Sequence, residues 1–349
     1  MRDISHTLRI AFPEPKRSSV GVPEWLSDLM QRSDSAWMAV RNLGSQPRHH
    51  LSARATYVRS DVLHWLADLP ANSIHAVVTD PPYGMIEYDD KNHQKLRQGR
   101  GGVWRIPPSF DGSSRKPVPR FTVLSKEEIV NLHGFFSSVA FGLLKALVPG
   151  GHVFIASNPL VSTTTFHAFM ECGFEKRGEI IRLLQTLRGG DRPKGAEQDF
   201  PEVTVMPRSC WEPWGVFRKP FDGTVAENLR RWGTGGLRRI SSEEPFKDVI
   251  QCSPTRGVEK EIAPHPSLKP QRFMRKLVRA ALPLGVGIIY DPFAGSGSTL
   301  AAAEAIGYYS IGTDIDTEYF VMAERVFTAL SSIQVVEKNG RYPAETEPS

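Results

Sequence analysis

Residues 287–314 read as two β-strands joined by one helix, and this unit constrains the fold more than any other stretch. Residues 287–290 and 308–313 are short apolar runs with the composition of buried strands. Residues 298–306 between them are predicted to form a helix that ends at Gly307, in a position that glycine favours. A helix that connects two successive strands places them parallel in one sheet. The unit therefore predicts an α/β fold.

The turn of this unit carries residues suited to a nucleoside. Asp291 and Phe293 follow the first strand, and Gly295 and Gly297 let the backbone approach a ligand closely at the start of the helix. Asp314 follows the second strand, about twenty residues beyond the glycines, where an acid is placed to bind ribose hydroxyls. Two glycines alone are weak evidence, but this order of elements favours a nucleoside-bearing cofactor.

The candidate catalytic residues follow another predicted strand. Residues 74–79 form an apolar run rich in β-branched residues, and Asp80, Pro81, Pro82 and Tyr83 follow it directly. Each proline fixes its own φ, so the backbone is stiff and its carbonyls are free to accept hydrogen bonds. Two acceptors beside an aromatic ring suit an exocyclic amine on a flat heterocycle. The alternative is a strand followed by an ordinary proline–glycine turn.

Three motifs together resemble the amino-group DNA methyltransferases that use S-adenosylmethionine. Residues 80–83 resemble the catalytic motif of that family, and residues 293–297 resemble its phenylalanine-x-glycine-x-glycine cofactor motif. Residues 265–270, His-Pro-Ser-Leu-Lys-Pro, resemble a box that precedes the cofactor motif. The catalytic motif comes first in the chain, as in the circularly permuted subgroup called β. The resemblance covers residues 57–330.

This resemblance implies a Rossmann-like methyltransferase fold, with helices on both faces of a mostly parallel sheet. Residues 179–184 and 214–218 would form an antiparallel hairpin at the sheet edge. The expected organisation is an N-terminal extension with one amphipathic helix at residues 1–50, a catalytic domain at residues 51–330 and a flexible tail at residues 331–349. The catalytic domain would carry a basic loop as an insertion at residues 85–120 and a possible target-recognition insertion at residues 219–264.

The resemblance also implies which residues hold the cofactor. In the family, an acid at the strand end matched by Asp61 contacts the adenine amine of the cofactor. A helix N-cap is the simpler interpretation of Asp61, and both roles are compatible. The residues expected to bind S-adenosylmethionine are Asp61, His265, Lys269, Pro270, Asp291, Phe293, Gly295, Gly297, Ser298, Thr299 and Asp314.

The catalytic motif would act on the target amine without a covalent enzyme intermediate. Asp80 and the Pro81 carbonyl would hold the amine hydrogens, and Tyr83 would stack on a base flipped out of the duplex. None of the three cysteines follows a proline, unlike the nucleophile of carbon-5 cytosine methyltransferases. We expect adenine N6 as the target. Cytosine N4 is the nearest alternative, although that subgroup more often opens its motif with serine.

Two alternatives of other classes remain. A nicotinamide or flavin oxidoreductase would use Gly295 and Gly297, but Leu300 replaces the third glycine of that fingerprint. A catalytically silent DNA-binding protein would not need residues 80–83 intact. Cofactor-binding and methyl-transfer assays separate these alternatives.

Double-stranded DNA is the expected partner because basic residues cluster in both insertions. Residues 91–120 contain eight lysines and arginines and one acid. The residues predicted to contact DNA are Arg97, Arg100, Arg105, Arg230, Arg231, Arg238 and Arg239. A solvated loop is the alternative for such a charged run. The glycine-bearing loop from Arg188 to Arg208 could also face the substrate.

Composition sets the outer limits. The net charge is +5 with a pI of about 9.1, which permits a polyanionic partner. No apolar run approaches eighteen residues, so we expect no membrane contact, and residues 1–5 lack the core of a signal peptide. The cysteines lack metal-type spacing and His49 and His50 are adjacent, so we expect no metal. Free cysteines are typical of the cytoplasm. A homodimer and a partner endonuclease stay open.

Overall fold

The computed structural model describes most of the chain, namely residues 22–83, 124–184, 192–193, 195–207, 209–255, 257–264 and 268–335. Within these ranges the strands are β1 Arg48–His50, β2 Ala55–Arg59, β3 Ile74–Thr79, β4 Leu147–Ala156, β5 Glu175–Leu183, β6 Trp211–Arg218, β7 Val249–Gln251, β8 Ile288–Asp291 and β9 Tyr309–Asp314. The helices there are α1 Glu24–Arg41, α2 Val62–Asp68, α3 Lys126–Ala146, α4 Ser162–Glu171, α5 Val225–Trp232, α6 Val258–Ile262, α7 Gln271–Ala281, α8 Ser298–Ala305 and α9 Thr317–Ser332.

The described strands form one sheet in the order β1-β2-β9-β8-β3-β4-β6-β5-β7. The five strands β2, β9, β8, β3 and β4 are parallel, and β6 pairs antiparallel with both β4 and β5. The early strand β2 lies beside the late strand β9, as the permuted motif order predicts. The prediction of a mostly parallel sheet with an antiparallel hairpin is confirmed.

One detail of the sheet corrects the prediction. The hairpin β5–β6 is not at the edge, because β7 pairs parallel with β5 outside it. β7, α5 and α6 lie within the insertion at residues 219–264 and give it regular structure. At the other edge, His49 lies in β1, which pairs antiparallel with β2. Strands of three residues are too short for alternation to reveal them.

Helices cover both faces of the sheet, each by burying one apolar stripe. On one face α2, α3 and α4 pack against the strands through residues that include Trp65, Phe136, Leu143 and Phe169. On the other face α7 and α8 pack through residues that include Phe273, Leu277, Ala302 and Ala303. The two clusters hold the parallel strands in a fixed register, and this positions the strand ends.

The long helix α3 shows how the sequence sets an element. Ser125 and Glu128 form a capping box, in which each side chain accepts from the backbone N–H of the other. Of the helices described, α3 alone is long and apolar enough to cross a membrane by length and composition. Core helices pass the same test, and α3 buries one stripe that includes Phe136 and Leu143.

The predicted helix of the N-terminal extension is α1, which packs against the sheet through Trp37. Trp37 is buried, stacks on Tyr309 at a centroid distance of 5.0 Å and donates from Nε1 to the carbonyl of Ala53. The other tryptophan of the helix, Trp25, is 36% exposed and lies outside this contact. The described part of the N-terminal segment is therefore continuous with the sheet.

The parallel strands end together at one edge, called here the carboxyl edge, and begin at the opposite amino edge. Asp80, Asp291 and Asp314 lie at the carboxyl ends of the adjacent strands β3, β8 and β9. Asp61 follows Ser60 at the end of β2, beside β9. Ligands of open α/β sheets bind at such an edge.

The packing around Gly287, just before β8, leaves no room for a side chain. Its φ is +131°, and a Cβ there would lie 2.6–2.9 Å from atoms of the buried His75 side chain. We expect Gly287→Ala to lower the free energy of unfolding by about 1–3 kcal/mol. The exposed Gly134 in α3 has open space around it, so Gly134→Ala should raise stability by about 0.5–1 kcal/mol. Urea unfolding measures both changes. Equal midpoints for the two variants would contradict this packing.

Candidate active site at the carboxyl edge

Asp80 is held by two donors as soon as β3 ends. Lys269 Nζ lies 2.7 Å from Asp80 Oδ2, and the Tyr83 hydroxyl donates to Oδ1 at 2.7 Å. Pro81 is buried and Pro82 is exposed, so the chain turns outward after the carboxylate. Each carboxylate oxygen has two lone-pair sites, and Asp80 therefore keeps acceptor capacity for an incoming amine.

Lys269 connects this carboxylate to the hairpin. Its Nζ is also 3.4 Å from Glu212 Oε2 on β6, and Arg182 Nη1 on β5 lies 3.4 Å from the same oxygen. Arg182 and Glu212 are directly opposite in the antiparallel register, and Trp214 Nε1 donates to Glu212 Oε1 at 2.7 Å. The box predicted to bind cofactor thus brings its lysine to Asp80. Its contact with a cofactor stays a prediction.

Burial and charge act in opposite directions on these groups. Burial raises the pKa of Asp80, and the ammonium of Lys269 offsets part of that rise. For Glu212, burial also works against ionisation, but Lys269 and Arg182 outweigh it and lower the pKa to about 2. Burial alone would lower the pKa of Lys269, whereas the two carboxylates raise it. The arrangement keeps Lys269 charged and favours Asp80 as a hydrogen-bond acceptor.

The predicted glycine turn is built at the end of β8. Gly295 and Gly297 have φ of +50° and +82°, values that favour glycine. The N–H of Gly295 donates to Asp314 Oδ2 at 2.9 Å, and the Tyr57 hydroxyl donates to the Gly295 carbonyl at 2.7 Å. Asp314 is half-buried, and burial raises the pKa of its carboxyl. The turn and the acid of the next strand are therefore one rigid unit.

Asp291 occupies a buried position between β3 and the turn. Its Oδ1 accepts from the Thr79 hydroxyl at 2.6 Å and from the N–H of Phe293 at 3.1 Å. Burial raises its pKa to about 6. The Thr299 hydroxyl is also buried and donates to the Val78 carbonyl at 3.3 Å, so the structure directs this predicted cofactor ligand toward the protein.

The remaining predicted cofactor residues take structural positions around the turn. Asp61 caps α2, since its Oδ1 accepts from the N–H groups of Leu63 and His64. Pro270 is buried at the N-cap of α7, and Gln271 Nε2 next to it donates to the Ser298 carbonyl at 2.9 Å. His265 lies outside the described residues. The cofactor roles of Asp61, Pro270 and Ser298 stay predictions.

The arginines predicted to contact DNA from residues 219–264 are not at this edge. Asn228 on α5 donates to the Pro149 carbonyl near the start of β4, which places Arg230 and Arg231 at the amino edge. Arg238 donates to the hydroxyl of Tyr308, just before β9, and Arg239 Nη2 donates to the Glu243 carbonyl at 2.9 Å. Because β6 runs antiparallel to β4, it ends at the amino edge, and the residues that follow it begin there. Arg97, Arg100 and Arg105 lie outside the described residues.

The sequence interpretation missed the charged residues of the hairpin. Arg182 interrupts the apolar run Ile180-Ile181-Arg182-Leu183, and Glu212 lies between two tryptophan-bearing positions of β6. A single charge in a buried strand needs a partner, because an unpaired buried charge is costly. The predicted second strand began at residue 214, so Glu212 lay outside it, whereas the observed strand β6 begins at Trp211 and places Glu212 opposite Arg182.

The raised pKa of Asp291 predicts a pH-dependent cost to stability. The folded protein holds this proton to about pH 6, whereas an exposed aspartate releases it near pH 3.8. Stability should therefore fall as the pH rises from about 4 to 6, by about 3 kcal/mol from this residue, and then level off. Asp291→Asn should remove that part of the slope in urea unfolding. Asp222→Asn, at an exposed position, is the control, and parallel slopes for all three proteins would contradict the assignment.

The family comparison agrees with this geometry. A family model described as DNA methylase, of the N6 and N4 type, matches residues 210–325. The matched segment contains Glu212, Lys269, the glycine turn and Asp314, whereas Asp80 lies before it. The chain is 25% identical over 277 residues to the type II methyltransferase M.HindIII of Haemophilus influenzae, covering 72% of this chain and 88% of that protein. It is 23% identical over 316 residues to M.BglII of Bacillus subtilis, covering 85% and 77%.

Solved structures share the fold at low sequence identity. The cytosine-N4-specific PvuII DNA methyltransferase has a TM-score of 0.51 at 16% identity, covering 83% of this chain and 95% of that chain. A putative DNA modification methylase from Thermus thermophilus has a TM-score of 0.50 at 20% identity, covering 80% and 97%. The motifs, the family match and the type II methyltransferase relatives together support an S-adenosylmethionine-dependent amino-group DNA methyltransferase of the N6 or N4 type, and the solved structures share its Rossmann-like fold.

Proposed function

We propose that this protein transfers a methyl group from S-adenosylmethionine to the N6 amine of adenine in double-stranded DNA. The observation that carries the proposal is the carboxylate of Asp80, held by Lys269 and Tyr83 at the end of β3. This strand is paired with β8, which leads into the glycine turn. The proposed acceptor of the amine and the glycine turn proposed to bind the cofactor thus lie at the ends of two neighbouring strands of one sheet.

The residues of the turn suit S-adenosylmethionine. Among the described residues, the atom nearest to the position of a Cβ on Gly297 is Ala323 Cβ at 3.6 Å, an ordinary contact distance, so these residues leave room for a ligand beside the turn. Asp314 retains acceptor capacity for ribose hydroxyls, and Asp61 uses only Oδ1 in capping α2. When bound, this cofactor supplies a methyl group on a positively charged sulfur. The protein orients it and excludes water.

The catalytic motif would increase the reactivity of a weak nucleophile. The lone pair of an adenine amine is delocalised into the ring, so the nitrogen must be turned toward the methyl group. Asp80 and the Pro81 carbonyl would accept the two amine hydrogens and stabilise the positive charge that develops on nitrogen. Tyr83 would stack on the flipped base and leave its bond to Asp80 as the amine arrives.

The choice of adenine rests on the first residue of the motif. Asp80 is typical of adenine enzymes in the family that the sequence resembles, and cytosine N4 enzymes more often have serine there. The test is expression in a host without DNA methylation, followed by long-read sequencing of modified bases. We expect N6-methyladenine at one shared sequence. N4-methylcytosine instead would show that cytosine is the target base. A genome without modified bases would contradict the proposal.

Asp80→Asn should abolish methyl transfer and leave cofactor binding nearly unchanged. The asparagine keeps the volume but cannot accept on both side-chain atoms, and removing a preorganised acceptor costs about 100-fold or more in rate. Single-turnover transfer and calorimetric titration with S-adenosylmethionine measure the two effects. Asp222→Asn serves as the exposed control. A variant that keeps more than about a tenth of the wild-type rate would contradict the role of Asp80.

Lys269→Met should move the acidic limb of the rate profile to higher pH. The groups facing Asp80 are Lys269, Tyr83, Glu212, Arg182 and Asp291. Lys269 is the cation that lowers the pKa of Asp80, so its loss raises that pKa, and ionised Asp80 appears only at higher pH. We expect a shift of about 1–3 pH units in kcat.

A matched control separates this effect from simple loss of the lysine. Lys145→Met removes an exposed lysine of α3 and should leave the profile in place. A rise in the KM for S-adenosylmethionine with an unshifted limb would show that Lys269 serves the cofactor and not Asp80. An unshifted limb with unchanged KM would show that its role is only structural.

The DNA interface is proposed from sequence. The basic run at residues 91–120 follows Tyr83 in the sequence, and Arg97, Arg100 and Arg105 stay predicted phosphate contacts. The DNA contacts of the four arginines between residues 230 and 239 also stay predictions, although these residues lie at the amino edge, away from Asp80.

A further inference from the structure

Three potential metal ligands meet on the outer surface of two helices, away from the strand ends. His133 lies on α3, and His167 and Glu171 lie four residues apart on α4. One nitrogen of each imidazole and one carboxylate oxygen all lie within 4.8 Å of one another. His133 Nε2 is 2.9 Å from Glu171 Oε2, and His167 Nδ1 is 3.6 Å from Glu171 Oε1.

These separations match the coordination sphere of a small divalent cation. Zinc binds imidazole nitrogen and carboxylate oxygen at about 2.0–2.2 Å, so its tetrahedral ligand atoms lie roughly 3.3 Å apart. The three atoms here lie within 4.8 Å of one another, and side-chain rotations would bring them to that spacing. Two imidazoles and one carboxylate are also a ligand set that zinc sites with an open position use.

The bonding of His133 points to a ligand and not only to an ion pair. Its Nε2 is buried and makes no hydrogen bond of acceptable geometry, although a carboxylate oxygen lies 2.9 Å away. The His133 and His167 rings are also close, with centroids 5.8 Å apart. Both rings therefore border the same carboxylate of Glu171.

The frame that carries the three side chains is rigid. Residues next to the ligands in sequence, among them Phe136 on α3 and Phe166 and Phe169 on α4, are buried in the core. Cys172, just after α4, donates to the Ser137 carbonyl on α3 at 3.3 Å. Residues at i and i+4 share one helix face, so His167 and Glu171 point together toward His133.

We propose that His133, His167 and Glu171 bind one late first-row divalent cation, with Zn²⁺ as its best-suited member. Two nitrogen ligands and one oxygen ligand favour zinc, nickel or copper over magnesium and calcium. The fourth position faces solvent, because the side chains of His167 and Glu171 are more than half exposed. The cation would brace α3 against α4. The proposal does not depend on the transferred group or the target base.

The experiment uses the full chain without a polyhistidine tag, stripped with chelator and titrated with ZnCl₂ in a calorimeter. We expect about one equivalent to bind, a rise in Tm with zinc, and a Co²⁺ complex whose absorption is that of a four-coordinate ion. His167→Ala and Glu171→Gln should each weaken zinc binding by at least about tenfold. Both positions are exposed, and circular dichroism checks that the variants fold.

The matched control is His64→Ala on α2. His64 forms the same i, i+4 pair with an acid, Asp68 at 3.9 Å, but among the described residues it has no second histidine beside it. Its loss should leave zinc binding unchanged. The proposal is overturned if the wild type binds no zinc, if His167→Ala and Glu171→Gln bind as tightly as the wild type, or if His64→Ala removes the binding.

Discussion

A buried row of alternating charges connects the parts of this protein that must be in register for catalysis. Asp80, Lys269, Glu212 and Arg182 come from the end of β3, the loop before α7, and the strands β6 and β5. Removing any one of them would leave a charge without its partner in a buried site, which is far more costly than losing an exposed pair. The row therefore acts as a constraint on the fold as well as on Asp80.

The carboxyl edge concentrates negative charge next to this row. Burial raises the pKa of Asp80, Asp291 and Asp314, which means that the folded protein ionises them at a cost. A cationic ligand lowers that cost, because an opposite charge favours the ionised form of each acid. The proposed methyl donor carries a sulfonium and an ammonium group. The carboxylates at this edge thus favour a positively charged cofactor. Once the methyl group has been transferred, the sulfur is a neutral sulfide, and the attraction between the cofactor product and the carboxylates would be weaker.

The sequence predicted the strand ends well and the loops poorly, for a physical reason. The runs before Asp80, Asp291 and Asp314 are apolar and lead into polar turn residues, so pattern alone fixes where they stop. Lys269 follows a segment without periodicity, and its contact with Asp80 depends on how the chain returns from β7. Pattern also does not reveal that the Thr299 hydroxyl bonds to the Val78 carbonyl, and the cofactor contact of Thr299 stays a prediction.

The position of the four arginines between residues 230 and 239 restricts how a duplex can dock. They lie at the amino edge, where Arg238 bonds to Tyr308 before β9 begins. β9 has six residues, which at about 3.3 Å each separates this edge from the carboxyl edge by about 20 Å. Under the proposed function, a base flipped toward Asp80 would come from a duplex lying against the carboxyl edge. The phosphates on either side of that base would then lie nearer to Asp80 and Lys269 than to the arginines at the amino edge.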